Sequence, residues 1–405
     1  MLETPRQKAK QVLDNFKKPA IMLFKHKLGV LAMSGDRQSQ KAGDNSQLMQ
    51  AGTINVYNNG IDEKRAREIC AETYAVARRD FTADAYACAN ERVQKFEESL
   101  LPKIQQIEGA LSAFADPSFQ FLLTSAQRTA AATEREADYD MLSELLICRI
   151  AKGEARKNRA GISRAVEVID KIDDDALCAL TVVHAVNKAI PNSGSCKAGL
   201  EVLADLFEKL IYMELPVGTD WIEHLDILDT IRIHSAGSFK KLDEYYLKRL
   251  PGYSGAGICI DSEVYKNARK QLEDVGLSSS VLVQNELLEG YVRLPVVTKS
   301  AIKDITWSQR TIVDGKLSIV STPINETEIS TLESIWDMYS TDAKAKQLAN
   351  AAFMSMWDSY PSLKRLHVWW DSLPVAFKIT HVGTVLAHTN ARRCDKSIPE
   401  LPLAT

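Results

Sequence analysis

A chain of 405 residues is longer than one ordinary core can organise, so its length predicts two or three folding units. Hydrophobic residues at 45% and charged residues at 25% are globular values that exclude a disordered or fibrous chain. A net charge of -3 excludes a global basic field of the kind that holds nucleic acid non-specifically, and seven scattered cysteines, none in C-x-x-C spacing, read as reduced thiols of a cytoplasmic protein.

The first predicted element is a basic amphipathic arm, residues 1–39. Residues 1–41 hold nine Lys or Arg, and within "FKKPAIMLFKHKLGVLAM" Lys17, Lys18, Lys25 and Lys27 interleave with Ile21, Leu23, Phe24, Leu28, Val30 and Leu31. Such a pattern suits three fates: peripheral contact with an anionic membrane through residues 17–33, contact with nucleic-acid phosphates, or docking on the rest of the protein. "KHK" breaks the apolar run, so neither a secretory signal nor a spanning helix is expected here.

Residues 40–60, "QKAGDNSQLMQAGTINVYNNG", are different in kind: glycine-punctuated, rich in amides and β-patterned. The predicted unit is a short β element in which Leu48, Ile54 and Val56 form a dry side while Gln50, Gly52, Asn55 and Asn58 supply amide pairing and turns. It would pair with another subunit or cap the helix that follows.

From 61 to 101 apolar side chains recur at Ala66, Ile69, Tyr74, Ala77, Phe81, Ala85, Cys88, Val93, Phe96 and Leu100. Steps of three to five define a long amphipathic helix, capped by Asn59 or Asp62 and stopped by Pro102. Its stripe is too long for a small domain to cover, which predicts packing along a bundle or against a second copy. Helical patterns continue through "DDDALCALTVVHAVNKAI" to the loop "PNSGSCKAG", then "LEVLADLFEKLIYMEL" and "DWIEHLDILDTIRIH", completing a bundle over 61–250. A mixed region, 251–321, opens with the turn "PGYSGAG" and closes with "TIVDGKLSIV", two β-branched runs around Asp314-Gly315 that predict a hairpin. Residues 322–405 read as a helical stretch, a strand in "FKIT", a Thr380 cap and a final helix. That makes a small α/β, winged-helix-like unit in a mainly α fold.

Chemical signatures are sparse. "GYSGAG" lacks both the dinucleotide order and a phosphate-loop ending. Glu223, Asp226 and Asp229 step by three on one helix near His224, a pattern that fits a divalent cation or the wet face of an amphipathic helix. His381 and His388 lie two turns apart on the last helix and read as solvated. Serine and cysteine nucleophile motifs are absent, and no metal or cofactor is assigned. Cations that could meet nucleic acid are Arg156 and Lys157 in the middle of the chain and Lys378, Arg392 and Arg393 near its end.

Three stretches, "KAGDNSQLMQAGTINVYNNGIDEKRAREIC", "LSELLICRIAKGEARKNRAGISRAVEVIDKIDDDALCAL" and "KITHVGTVLAHTNARR", together resemble a family of uncharacterised bacterial proteins. The third is similar to that family's Leu-Thr-x-x-Gly-x-x-Ile-Ala-x-x-Asn-x-x-Arg ending and to endings of helical abortive-infection proteins, with Ile379 in the Leu position. Gln50-Ala51-Gly52, Ile54-Asn55-Val56 and Asn58 also look like the Gln-x-Gly-x-x-Asn core of bacterial amyloid signalling motifs. The resemblance implies a mainly helical bacterial cytoplasmic protein of phage-defence or mobile-element context and carries over no catalytic residue. The chain is therefore expected to be a non-enzymatic homo-oligomer. A nucleic-acid-binding protein is the alternative, and a metal-dependent enzyme using Glu223, Asp226 and Asp229 the third reading.

Overall fold

A computed structural model of the chain describes residues 63–107, 110–152, 155–234, 237–313 and 316–401, and among these the side chains of all but 63–81, 111–112, 152 and 308–320. The fold is mainly α, and it divides between Asp170 and Lys171 into two compact units.

The first unit is helical. Helix α1, Glu63–Gln105, is followed by a 3-10 turn, Ala110–Ala115, and by α2 (Pro117–Ala132), α3 (Glu136–Lys152) and α4 (Arg156–Val168). Pro102 does not stop α1, which runs on to Gln105. A proline removes one ladder bond, and burial of Leu100 and Ile104 on either side of it holds the last turn in place. Helix α2 starts where Asp116 accepts the amide of Ser118 and Pro117 takes the first helical position. The core joins Phe96 and Leu100 of α1 to Phe119, Ala126 and Ala130 of α2, Leu142 and Leu146 of α3, and Ile162 and Val166 of α4. Beneath it Asp138, 1% exposed, accepts from the Thr133 hydroxyl and from Arg135 Nε at 3.1 Å. Arg135 also donates to Ile169 O at 2.6 Å, tying the start of α3 to the end of α4.

The second unit is built around α5, Asp174–Lys188, whose residues from Ala176 to Val186 are all buried. A helix apolar all round belongs at the centre of a unit, and none of the described helices is long and apolar enough to cross a membrane. Helices α6 (Cys196–Leu210) and α7 (Asp220–Ile227) follow, then strand β1, Ile231–His234. The expected helix "DWIEHLDILDTIRIH" thus ends early. Asp229 adopts φ 62°, its amide bonds to Asp226 O, and the Thr230 amide reaches back to Leu225 O, which is a Schellman closure with Asp where Gly is usual. Ile231 and Ile233 then alternate with exposed Arg232 and His234 as a strand requires.

Next come α8 (Leu242–Arg249), the turn α9 (Pro251–Ser254), β2 (Ile258–Cys259), α10 (Glu263–Asp274), β3 (Val283–Gln284) and β4 (Tyr291–Arg293), the three strands ordered β2-β4-β3. The first half of "PGYSGAG" is therefore helical. Gly252 is required there, because a Cβ would stand 1.9 Å from Val296 O. After a 3-10 stretch, Lys299–Asp304, strands β5 (Thr306–Val313) and β6 (Lys316–Pro323) pair antiparallel with Val313 opposite Lys316 around the expected Asp-Gly turn. Helices α11 (Glu326–Asp337) and α12 (Ala343–Asp358), the second capped by Asp342, divide the stretch 329–360 that reads as helical, and a further helix, α13 (Pro361–Asp371), follows it. Strand β7, Ala376–Ile379, leads into α14, His381–Cys394. Residues 376–394 do not stand apart: β7 pairs with β1, Ile379 opposite Ile231, and α14 lies on α5. Aromatic rings in contact run from Trp221 through Phe377, Phe239, Trp370 and Tyr245 to Tyr246 and Trp357, with centroids 4.4–5.9 Å apart.

Candidate assembly surface

The apolar stripe of α1 is continuous in sequence and divided in the structure. Phe96 and Leu100 are fully buried and Ile104 nearly so, whereas Ala85 and Cys88 are exposed and Val93 is half-buried. No described side chain of α1 before Phe96 is buried. Lateral support from the unit's other helices is in place at Arg92, which donates to Ala131 O at 3.2 Å and Ala132 O at 3.3 Å and pairs with Glu134 at 3.0 Å. Lys95 adds a 3.8 Å pair with Glu136. Between Glu63 and Arg92 lies roughly 40 Å of helix, at about 1.5 Å per residue. An isolated helix in water is marginal, so a stretch of this length calls for apolar contact along its flank. Ala85 and Cys88, one turn apart on one face, are exposed and small, which lets a second helix approach closely there. The proposed assembly residues Gln50, Gly52, Ile54, Asn55, Val56 and Asn58, and the basic arm, lie outside the described residues.

The acidic steps do not converge. Asp229 has left the helix, and Arg232 meets both it, at 2.6 Å, and Asp226, at 3.9 Å. Glu223 is exposed, and His224 Nε2 accepts the amide of Asp173 at the start of α5. Among the described residues no three His, Cys, Asp or Glu side chains gather as a metal would need.

The last helix is not the solvated element its charges suggest. His388 is buried, and its Nδ1 lies 3.3 Å from His184 Nε2 while its Nε2 lies 3.0 Å from Pro399 O. A carbonyl only accepts, so His388 carries its proton on Nε2 and takes a hydrogen bond from His184 on Nδ1. Burial, then the His388 and Lys188 charges, hold His184 down to about 4. Two residues on, Asn390 is fully buried. Its Nδ2 donates to Thr181 Oγ1 at 2.9 Å and its Oδ1 accepts from Arg393 Nε at 2.9 Å. The Arg393 guanidinium sits 5.2 Å over the Tyr212 ring. Asn-x-x-Arg in the C-terminal resemblance thus has a packing role.

The candidate nucleic-acid cations separate accordingly. Arg393 is committed inside the second unit, Arg392 is half-buried, and Lys378 is exposed on β7 directly opposite Arg232 of β1. Arg156 and Lys157 are exposed at the start of α4 in the first unit. Burial pushes the Cys178 thiol up to about 11 and Cys196 up to about 12, so both stay protonated and inert. Arg232 is hidden in the sequence, because "IRIH" continues the helical pattern before it. Arg293, fully buried, had a visible signal: a lone cation inside the apolar run "YVRLPVV".

A protein-family model described as ":-like" matches residues 60–401. No curated protein matches the chain, and no solved structure does.

Proposed function

We propose, from the premise that this chain belongs to the ":-like" family, that it is a non-enzymatic, self-associating helical protein whose assembly module runs from residue 40 through α1. The observation that carries this is the divided stripe: Ala85 and Cys88 continue the apolar line of Phe96 and Leu100 but stay exposed. A second copy of α1 offers the same narrow ridge at the same length, so an isologous helix pair covers both at once. The sequence of residues 40–60 supplies amide and β-branched side chains suited to pairing between copies. The bacterial, phage-defence or mobile-element setting rests on the resemblance of the three stretches alone, the C-terminal Thr-x-x-Gly ending among them. Deleting residues 40–60 and measuring mass by light scattering tests the module; an oligomer that persists unchanged removes that segment from it.

A second reading, nucleic-acid binding, is favoured by one observation. Arg232 and Lys378 are paired across the β1–β7 ladder and both are exposed. Asp229 and Asp226 already engage Arg232, so Lys378 is the cation of the pair that a phosphate would meet first. Duplex and single-stranded DNA retardation with a steep salt dependence, weakened in Lys378→Glu, is the expected result; no retardation at low salt removes this reading.

A further inference from the structure

The loop "PNSGSCKAG", which no part of the proposed assembly uses, leads into the N-terminus of α6 beside a fully buried cation. Arg293, at the end of β4, is 0% exposed. Its Nη2 donates to Gly194 O at 2.8 Å and its Nη1 to Leu294 O at 3.1 Å, and its guanidinium lies 5.7 Å over the Tyr253 ring. Its Nε has no hydrogen-bond partner. The carboxylate it faces, Glu286, stands 3.8 Å away, outside hydrogen-bond reach. A buried charge so loosely compensated is costly, and a buried N–H without an acceptor adds to the cost.

Glu286 is engaged elsewhere. Its Oε2 accepts the amide of Lys197, the second residue of α6, at 2.8 Å, which is how an anion sits on a helix N-terminus. The side chain is about a third exposed and comes from the connection between β3 and β4, so it can swing out. Around it Ser193 Oγ accepts the amide of Ser195, and Ser195 Oγ accepts the amide of Ala198, which leaves each hydroxyl its own proton to donate. Lys197 is exposed at the mouth. The neighbouring Cys196 thiol stays neutral, pushed up to about 12 by burial, and adds no negative charge.

We infer that the N-terminus of α6, with Arg293, Ser193, Ser195 and Lys197, binds the phosphate group of a small phosphorylated ligand, and that Glu286 holds the place of that group. Moving Glu286 aside leaves the Arg293 and Lys197 charges and the helix N-terminus facing the incoming group. A phosphate monoester, at close to two negative charges, matches that set. A carboxylate only restores what Glu286 already supplies.

The test uses the full chain, with inorganic phosphate titrated calorimetrically at constant ionic strength and chloride as the control. Glu286→Gln, which keeps size and removes charge, is expected to bind phosphate at least tenfold tighter than the unaltered chain. The Lys197 amide resonance should move on phosphate addition and not on chloride addition. Arg293→Lys in the Glu286→Gln background should lose most of that gain. Should Arg293→Lys fail to fold, Ser195→Ala in the same background serves as the second variant, with a loss of fivefold or more expected. Glucose 6-phosphate and adenosine monophosphate, titrated alongside, separate a sugar phosphate or nucleotide from free phosphate. Phosphate binding by Glu286→Gln no tighter than by the unaltered chain, with an unmoved Lys197 amide, overturns the inference.

Discussion

Gly383 packs against the main chain of Thr230 so closely that a Cβ would stand 2.0 Å from the Thr230 carbonyl oxygen. The same carbonyl accepts the Thr380 amide at 2.9 Å, while the Thr380 side-chain oxygen accepts the Gly383 amide at 3.1 Å and donates to Asp229 O at 2.7 Å. Thr-x-x-Gly is therefore the joint between α14 and the Schellman turn that ends α7. Gly383→Ala must push main chain against main chain and is expected to destabilise the protein by about 3 kcal/mol, read from the urea midpoint. Thr380→Ala loses a helix cap and should cost about 1 kcal/mol.

The buried amide of Asn390 serves α5 and α14 together through Thr181 and Arg393. Asn390→Ala leaves the Arg393 Nε without its partner and is expected to cost about 2–3 kcal/mol. In a double-mutant cycle with Thr181→Ala, denaturation should report a coupling of about 1 kcal/mol, because the two side chains share one hydrogen bond.

In the first unit, Asp138 is almost completely buried, with Arg135 3.1 Å from both of its oxygens. Arg135→Ala strands that carboxylate and releases Ile169 O, so a loss of about 3 kcal/mol is expected in urea denaturation.

Acid should weaken the second unit through His184. Its imidazole titrates near 4 when folded and near 6.5 when unfolded, so between these values the unfolded chain binds the extra proton. Stability present above pH 6.5 is lost as pH falls toward 4, by roughly 3 kcal/mol in all. Urea midpoints measured from pH 7 to pH 4.5 should fall less steeply in His184→Gln.

What could be read from the sequence depended on how local its cause was. The Asp314-Gly315 hairpin, the Thr380 cap and the period of α1 are written in neighbouring residues, and the mainly α fold follows from such patterns. Strand β1 is not: "IRIH" becomes a strand because Ile379 pairs with Ile231 across the unit and because Asp229 accepts a positive φ. His388 illustrates the same limit, since its charged sequence neighbours conceal a face that α5 covers. Arg293 and Glu286 are close in sequence, but the α6 N-terminus that both meet, at Gly194 and Lys197, is not, and only the oddity of one cation in an apolar strand points toward that site. For α1, periodicity located the stripe, but only the structure separates the buried Phe96 and Leu100 from the exposed Ala85 and Cys88.

On the proposed self-association, a second copy of α1 covers the exposed part of that stripe. Light scattering on the full chain and on the double variant Ala85→Glu, Cys88→Glu tests it most directly, because both residues are exposed and their replacement leaves the core of the first unit intact. The expected mass is at least twice the 45.1 kDa of one chain, falling to the single-chain value in the variant. A single-chain mass for the unaltered protein at every concentration, or an oligomer that the variant leaves unchanged, would contradict it.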